Sequence, residues 1–175
     1  QIAMGADRLL EYWERREAAI SREKEDPYNF GVELDHWSMV DDQLKDYGEV
    51  LVLGGNRSAK TEFCAKRVVQ TAVQNPGAQI WCLTANTQNS IAHQQAAVYR
   101  YLPNEYKKLG RGKVSYVSFS YKNGFTNSSF ILPNRSTVTF RVWSQDISSL
   151  EGGEVGLPED PVDGTHSIGI WADEE

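Results

Sequence analysis

The sequence predicts an α/β fold with a mostly parallel sheet, and three observations carry that expectation. Short apolar runs alternate with helical stretches between residues 49 and 102, the order that parallel strands joined by right-handed crossovers require. A loop of glycines, a lysine and a threonine stands between the first run and the helix after it. Further along, the pattern turns to β, with a hairpin and a last apolar run that ends in acids.

Residues 6–25, ADRLLEYWERREAAISREKE, are rich in helix formers, with Leu9, Leu10 and Trp13 as a short apolar stripe. They predict an amphipathic helix ended by Asp26-Pro27. Residues 28–48 scatter Tyr28, Phe30 and Trp37 among acids and read as loop and short helix. The run Glu49-Val-Leu-Val-Leu53 stops at Gly54-Gly55 and predicts a buried parallel strand. From Lys60 to Gln74, Phe63, Val68, Val69 and Ala72 recur near helix spacing before Asn75-Pro76-Gly77. Gln79–Leu83 is a second strand, and Thr87–Leu102 a second helix bounded by Pro103. Alternation then sets in over Lys113–Tyr121. Ser129–Leu132, the turn Pro133–Ser136 and Thr137–Trp143 form a hairpin, and a Gly, Pro and acid-rich loop leads to Ser167–Ala172.

At 175 residues, with 40% hydrophobic and 24% charged residues, the chain can bury a core without disulfides or metals. No apolar run reaches the ~20 residues of a membrane span, and no secretory signal pattern opens the sequence, so an intracellular protein is the expectation. Cys64 and Cys82 stand in apolar settings without CxxC spacing and read as buried free thiols. His36, His93 and His166 are isolated and suggest no metal or catalytic constellation.

The net charge of −6 argues against a protein that simply coats nucleic acid, but the charges are unevenly spread. Residues 1–50 carry 13 acids and 6 bases, 57–113 carry 9 bases and 2 acids, and 146–175 carry 9 acids and no base. A basic middle can attract the phosphates of a nucleotide or of DNA. Lys107, Lys108, Arg111 and Lys113 concentrate there, in a cluster that reads either as an exposed loop or as a contact for DNA phosphates or a partner protein.

The strongest motif is Gly54-Gly55-Asn56-Arg57-Ser58-Ala59-Lys60-Thr61. After a strand and before a helix, such a loop cradles phosphates: glycines allow close backbone approach, amide hydrogens turn inward, and the helix N-terminus adds positive potential. Lys60 would hold the β and γ phosphates of ATP, and the Thr61 hydroxyl would ligate Mg²⁺. Ala59 stands where a glycine is usual, a change the loop accepts if that residue keeps negative φ. Arg57 can stabilise charge at the γ phosphate or merely pair with an acid. The second motif is Ile168–Ala172 followed by Asp173 and Glu174. A carboxylate at a strand's C-terminal end can reach Mg²⁺, and its neighbour can polarise water. With Asp173 coming 112 residues after Thr61, the two motifs together specify an ATPase with a catalytic glutamate.

From about Glu49 to Glu175 the chain resembles the ATPase domain of bacteriophage large terminases. The resemblance rests on LVLGGNRSAKTE, the hairpin SFILPNRSTVTFRVWS, SSLEGGEVG and the closing IWADEE. It implies a RecA-like P-loop ATPase, three layers around a mostly parallel sheet with an added β-hairpin, that spends ATP to move double-stranded DNA into a procapsid. It assigns phosphate and metal binding to Lys60 and Thr61, a cis sensor or finger to Arg57, the metal carboxylate to Asp173 and the catalytic role to Glu174. The family often has an arginine where this chain has Glu151, which leaves Arg135 or Arg141 on the hairpin as candidates for a trans finger or as solvated surface arginines. The base would sit near residues upstream of the loop: Gln43 to read the adenine edge, with Trp37 or Tyr47 to stack. Trp37 reads equally as core.

The resemblance also implies a homo-oligomeric ring on a portal protein, a small terminase partner, no membrane, and the host cytoplasm as location. Gln1 and the stop at Glu175 suggest a fragment. Residues 1–48 would form an N-terminal helix and adenine-side segment. Residues 49–175 would form an ATPase core truncated after its acid-bearing strand, with any nuclease lying downstream. The alternatives are a helicase-like or other DNA-remodelling ATPase, which shares both motifs, and a nucleotide-binding module without turnover.

Overall fold

Local sequence dictates most of the helices. The structure, a computed structural model, describes residues 2–47, 49–55, 58–107, 116–144, 155–156 and 168–173. Helix α1 (Ile2–Glu25) runs to Asp26-Pro27, and Pro27 then opens α2 (Pro27–Phe30), with Asp26 Oδ1 accepting the Asn29 N–H. Proline suits the first position of a helix, where its missing N–H costs nothing. Helix α3 (Trp37–Asp46) is the longer helix in the stretch expected to be loop and short helix. Helix α4 (Lys60–Gln74) has the predicted bounds.

The sheet follows the prediction in part. Strand β1 (Gln79–Thr84) pairs in parallel with both β5 (Thr137–Val142) and β6 (Ile170–Ala172), and β4 (Ser129–Ile131) lies antiparallel on β5. The order is β4-β5-β1-β6, a mixed four-stranded sheet in which the predicted hairpin supplies the β4 edge. The alternating stretch before it yields only β2 (Phe119–Ser120) against β3 (Gly124–Phe125), a separate antiparallel pair.

One strand expectation fails. Residues 49–53 belong to no ladder among the described residues, and Leu51 and Leu53 are 80% and 83% exposed. An apolar run becomes a strand only where a neighbour takes its N–H and C=O groups, and none of the described residues does so here.

Helices cover one face of the sheet. Ile80 and Cys82 of β1, Val138 and Phe140 of β5 and Trp171 of β6 meet Ala65, Val68, Val69 and Ala72 of α4, together with Val98 and Tyr101. The parallel registers Ile80↔Val138, Cys82↔Phe140 and Cys82↔Trp171 bring these side chains to one side. The opposite face carries Trp81, Thr139, Arg141 and Ile170, of which Ile170 is 55% exposed. Helix α4 and residues 97–101 pack on the first face, and α2 and α3 pack against α4.

The helix after β1 departs from regular geometry. Helix α5 (Thr87–Asn89), a π-helical turn (Ser90–Gln95) and α6 (Ala96–Tyr101) form one continuous run. The wide turn buries two consecutive glutamines. Gln94 donates to the Leu83 carbonyl at 2.9 Å, and Gln95 accepts from the Phe125 N–H at 2.9 Å while donating to Ser90 Oγ. Gly124, at φ +72°, must be glycine: a Cβ there would meet Gln95 Oε1 at 2.1 Å.

Two polar clusters fix α4. At its C-terminal end the hairpin turn docks: Asn134 donates its side-chain amide to the Ala72 and Val73 carbonyls, and Ser136 donates to Asn75 O at 2.8 Å. Midway, the buried Lys66 and Arg67 reach the segment before α3. Lys66 Nζ donates to Glu33 at 2.7 Å and to the Gly31 and Val32 carbonyls. Arg67 pairs with Glu33 at 2.5 Å and Asp41 at 2.7 Å. Two buried cations are tolerable only because carboxylates and carbonyls surround them.

The predicted stripe of α1 stays in solvent, with Leu9, Leu10 and Trp13 exposed. No helix among the described residues is long and apolar enough to cross a membrane. Cys82 is buried and Cys64 half-buried, and both are free thiols as expected.

Candidate functional site

The loop of glycines closes on itself through its lysine. Lys60 Nζ donates to Gly54 O at 2.6 Å, Gly55 O at 3.3 Å and Ser58 Oγ at 3.3 Å. A turn joins Ser58 N to Gly55 O, and the Phe63 N–H bonds the Ala59 carbonyl as α4 begins. A Cβ on Gly54 would meet Ser58 Oγ at 2.6 Å and force that hydroxyl to shift, whereas Gly55 has open space around its Cα.

Ala59 overturns the condition set for it. It adopts φ 60°, ψ 25° at the start of α4, the left-handed region that costs a residue bearing a Cβ about 1–2 kcal/mol. The chain must turn there to bring Lys60 back over the loop carbonyls, so the usual glycine would fit without strain.

The second motif reaches the same end of the sheet. Strand β6 runs parallel to β1, and the Asp173 N–H bonds the Leu83 carbonyl at 2.9 Å. Asp173 thus lies just past the carboxyl ends of β1 and β6, where ligands of open α/β sheets bind. Its charge is felt across the helix layer. Burial, and then the negative charge of Asp173, push the Cys64 thiol up to about 12. Cys64 is three residues beyond Thr61, so the two share a face of α4. Asp173 at the strand end is therefore near enough to the first turns of α4 for its charge to act on Cys64, one turn beyond Thr61.

Glu62 is engaged elsewhere: its Oε2 accepts from the Tyr101 hydroxyl at 2.6 Å and also from Arg100. Burial, followed by the hydrogen bond and charge of Glu62, holds the Tyr101 hydroxyl well above its ordinary range. Beside this pair a cavity of about 370 Å³ opens, lined by Thr61, Glu62, His93, Ala96, Arg100 and Tyr121 among others.

The adenine-side residues divide. Trp37 is 2% exposed, edge-on to Phe63 with centroids 5.5 Å apart, and the Arg67 guanidinium sits over it at 5.8 Å. Its ring faces are used by the core, which removes it as a stacking surface. Gln43 and Tyr47 are exposed at the end of α3. Of the finger candidates, Arg135 lies in the hairpin turn at φ 69°, and Arg141 lies on the sheet's second face with its guanidinium 4.7 Å over Trp81. Asn56, Arg57, Glu151, Glu174 and the loop 157–167 lie outside the described residues.

What the sequence did not show is the π-turn. Gln94, held against the Leu83 carbonyl that also accepts from Asp173, borders the site from the helix side. The only signal was a pair of adjacent glutamines in a helical stretch, and that pattern is usually solvent-exposed.

Among the described residues no group of three or more His, Cys, Asp or Glu side chains could by itself hold a metal ion. One hydroxyl and one carboxylate suit a hard cation that takes its remaining ligands from phosphates and water, as Mg²⁺ does. No protein-family model, curated protein or solved structure matches the chain.

Proposed function

We propose that the chain is the ATPase part of a DNA-packaging motor of the large-terminase kind, a RecA-like domain that hydrolyses ATP to drive double-stranded DNA into a procapsid. The observation that supports the reading is the loop closed by Lys60 at the start of α4 together with Asp173 at the end of β6, held beside β1 by its N–H bond to the Leu83 carbonyl. A lysine-bearing loop, a helix N-terminus and a strand-end carboxylate at one place are the parts that phosphoryl transfer needs.

In this reading Lys60 leaves the carbonyls of Gly54 and Gly55 and binds the β and γ phosphates, and the amides at the start of α4 supply further donors. Thr61 and Asp173 would hold Mg²⁺, which when bound neutralises phosphate charge. Glu174 takes the proton of the attacking water, and Arg57 offsets the charge that grows on the γ phosphate. Catalysis is then positioning and charge stabilisation without a covalent intermediate. The work on DNA, the portal and small-terminase partners, the ring and the host cytoplasm rest on the resemblance of the two motifs and the hairpin. A helicase-like ATPase would use the same site, and translocation on a single strand in place of packaging would favour it.

The test is steady-state phosphate release from MgATP. Lys60→Ala should abolish release and weaken nucleotide binding, whereas Glu174→Gln should abolish release and leave binding intact. Nucleotide binding with no release from the unaltered chain would replace the motor with a binding module, a reading the strained Ala59 favours.

A further inference from the structure

A row of aromatic rings runs along the outer side of α6 and the β2–β3 pair. Tyr106 and Tyr116 meet edge to face with centroids 6.1 Å apart. Lys107 Nζ lies 5.5 Å over the Tyr99 ring, Tyr99 stacks on Phe119 at 4.6 Å, and Phe119 meets Tyr121 at 5.2 Å. The Val117 N–H bonds Tyr106 O, which fixes the first pair beside the second.

Only the inner part of this row belongs to the core. Phe119 reaches Phe125 at 4.9 Å, and Phe125 is buried. The ends do not: Tyr116 is 58% and Tyr121 78% exposed. Large flat rings held in place by other rings, yet open on one side, are stacking platforms.

Charge accompanies the rings. Lys107 Nζ donates to the Arg100 carbonyl at 2.8 Å, and burial draws it down to about 8, with the Asp26 charge opposing and Arg100 adding to the fall. Lys122 is exposed in the turn after Tyr121. Glu62, the acid at that end, is bound by Arg100 and Tyr101. At the other end Glu105 is exposed, and after burial its charge raises the Tyr106 hydroxyl.

We propose that this strip, from Tyr116 past Lys107 to Tyr121, binds single-stranded DNA, with unpaired bases stacked on Tyr116 and Tyr121 and phosphates beside Lys107 and Lys122. Rings that accept any base and cations that follow the backbone make a sequence-tolerant single-strand site. A duplex hides its base faces and can offer the tyrosines nothing. That the strand is DNA rests on the reading of the chain as a DNA-translocating ATPase, of which a single-strand site favours the helicase-like form; the rings and charges do not rest on it.

The experiment is fluorescence anisotropy of a labelled oligo-dT of about 12 nucleotides, titrated with the full chain at low salt and without ATP. The unaltered chain should bind it more tightly than a duplex of equal length. Tyr116→Ala and Tyr121→Ala should each weaken binding about tenfold, while Tyr116→Phe and Tyr121→Phe retain it. Lys122→Glu should weaken binding and flatten its dependence on salt. Absence of binding overturns the proposal and leaves the face to a protein partner. Equal binding of duplex and single strand, with the alanine variants unaffected, overturns it as well. Lys60→Ala should bind the oligonucleotide normally, so failure of the ATPase reading and failure of this one are told apart.

Discussion

The carboxylate of Asp173, beyond the end of β6, raises the thiol of Cys64, one turn into α4. This relationship ties the two halves of the candidate site and can be measured without a nucleotide. In a Cys82→Ala background, Asp173→Asn should shift the pH profile of Cys64 alkylation to lower pH. The shift should be partial, because burial is the larger cause. An unmoved profile would separate the strand end from the loop helix.

Ala59 supplies a prediction of the opposite sign to most substitutions. Glycine relieves the left-handed strain but adds freedom to the unfolded chain. Ala59→Gly should therefore stabilise the fold by about 0.5–1 kcal/mol, read from urea unfolding. Gly54→Ala should do the reverse, because its Cβ would press on Ser58.

The buried cations of α4 predict how stability depends on acid. Burial alone would raise Glu33, but hydrogen bonds from Arg67 and Lys66, with their charges, lower it below 4.5. A carboxylate depressed in the folded state contributes stability that is present above its unfolded pKa and lost as pH falls through the folded one. Thermal stability should therefore decline below about pH 4.5, and Glu33→Gln should blunt that decline. Arg67→Met should cost about 3 kcal/mol by leaving Asp41 and Glu33 without their shared partner.

The adjacent glutamines should respond differently. Gln94 is buried with its Oε1 unpaired among the described residues, whereas Gln95 is bonded at both ends. Gln94→Met removes one hydrogen bond and one unsatisfied acceptor, so denaturant titration should find it close to neutral. Gln95→Met leaves the buried Phe125 N–H unpaired and should cost about 1–3 kcal/mol.

Much of this was legible in the residues. Phe63, Val68, Val69 and Ala72 announced α4, and Asn75-Pro76-Gly77 its end, because helix spacing and stop signals are local. The hairpin at Pro133–Ser136 was equally local. Residues 49–53 misled because a strand's existence depends on a partner that its own residues do not specify. Trp37 was ambiguous for the same reason: the ring that meets it, Phe63, lies 26 residues away.

The sequence by itself determined α1, α4 and their ends, the hairpin turn, the buried strand β1 and the chemical content of the loop and the strand end, since each depends on neighbours within a few residues. Tertiary structure decided the rest: the order β4-β5-β1-β6, the absence of residues 49–53 from it, the left-handed turn at Ala59, and the row of rings from Tyr116 to Tyr121. These depend on which distant segments compete for one surface. That competition is settled by burial and hydrogen-bond pairing across the whole chain, and no short window of residues contains it.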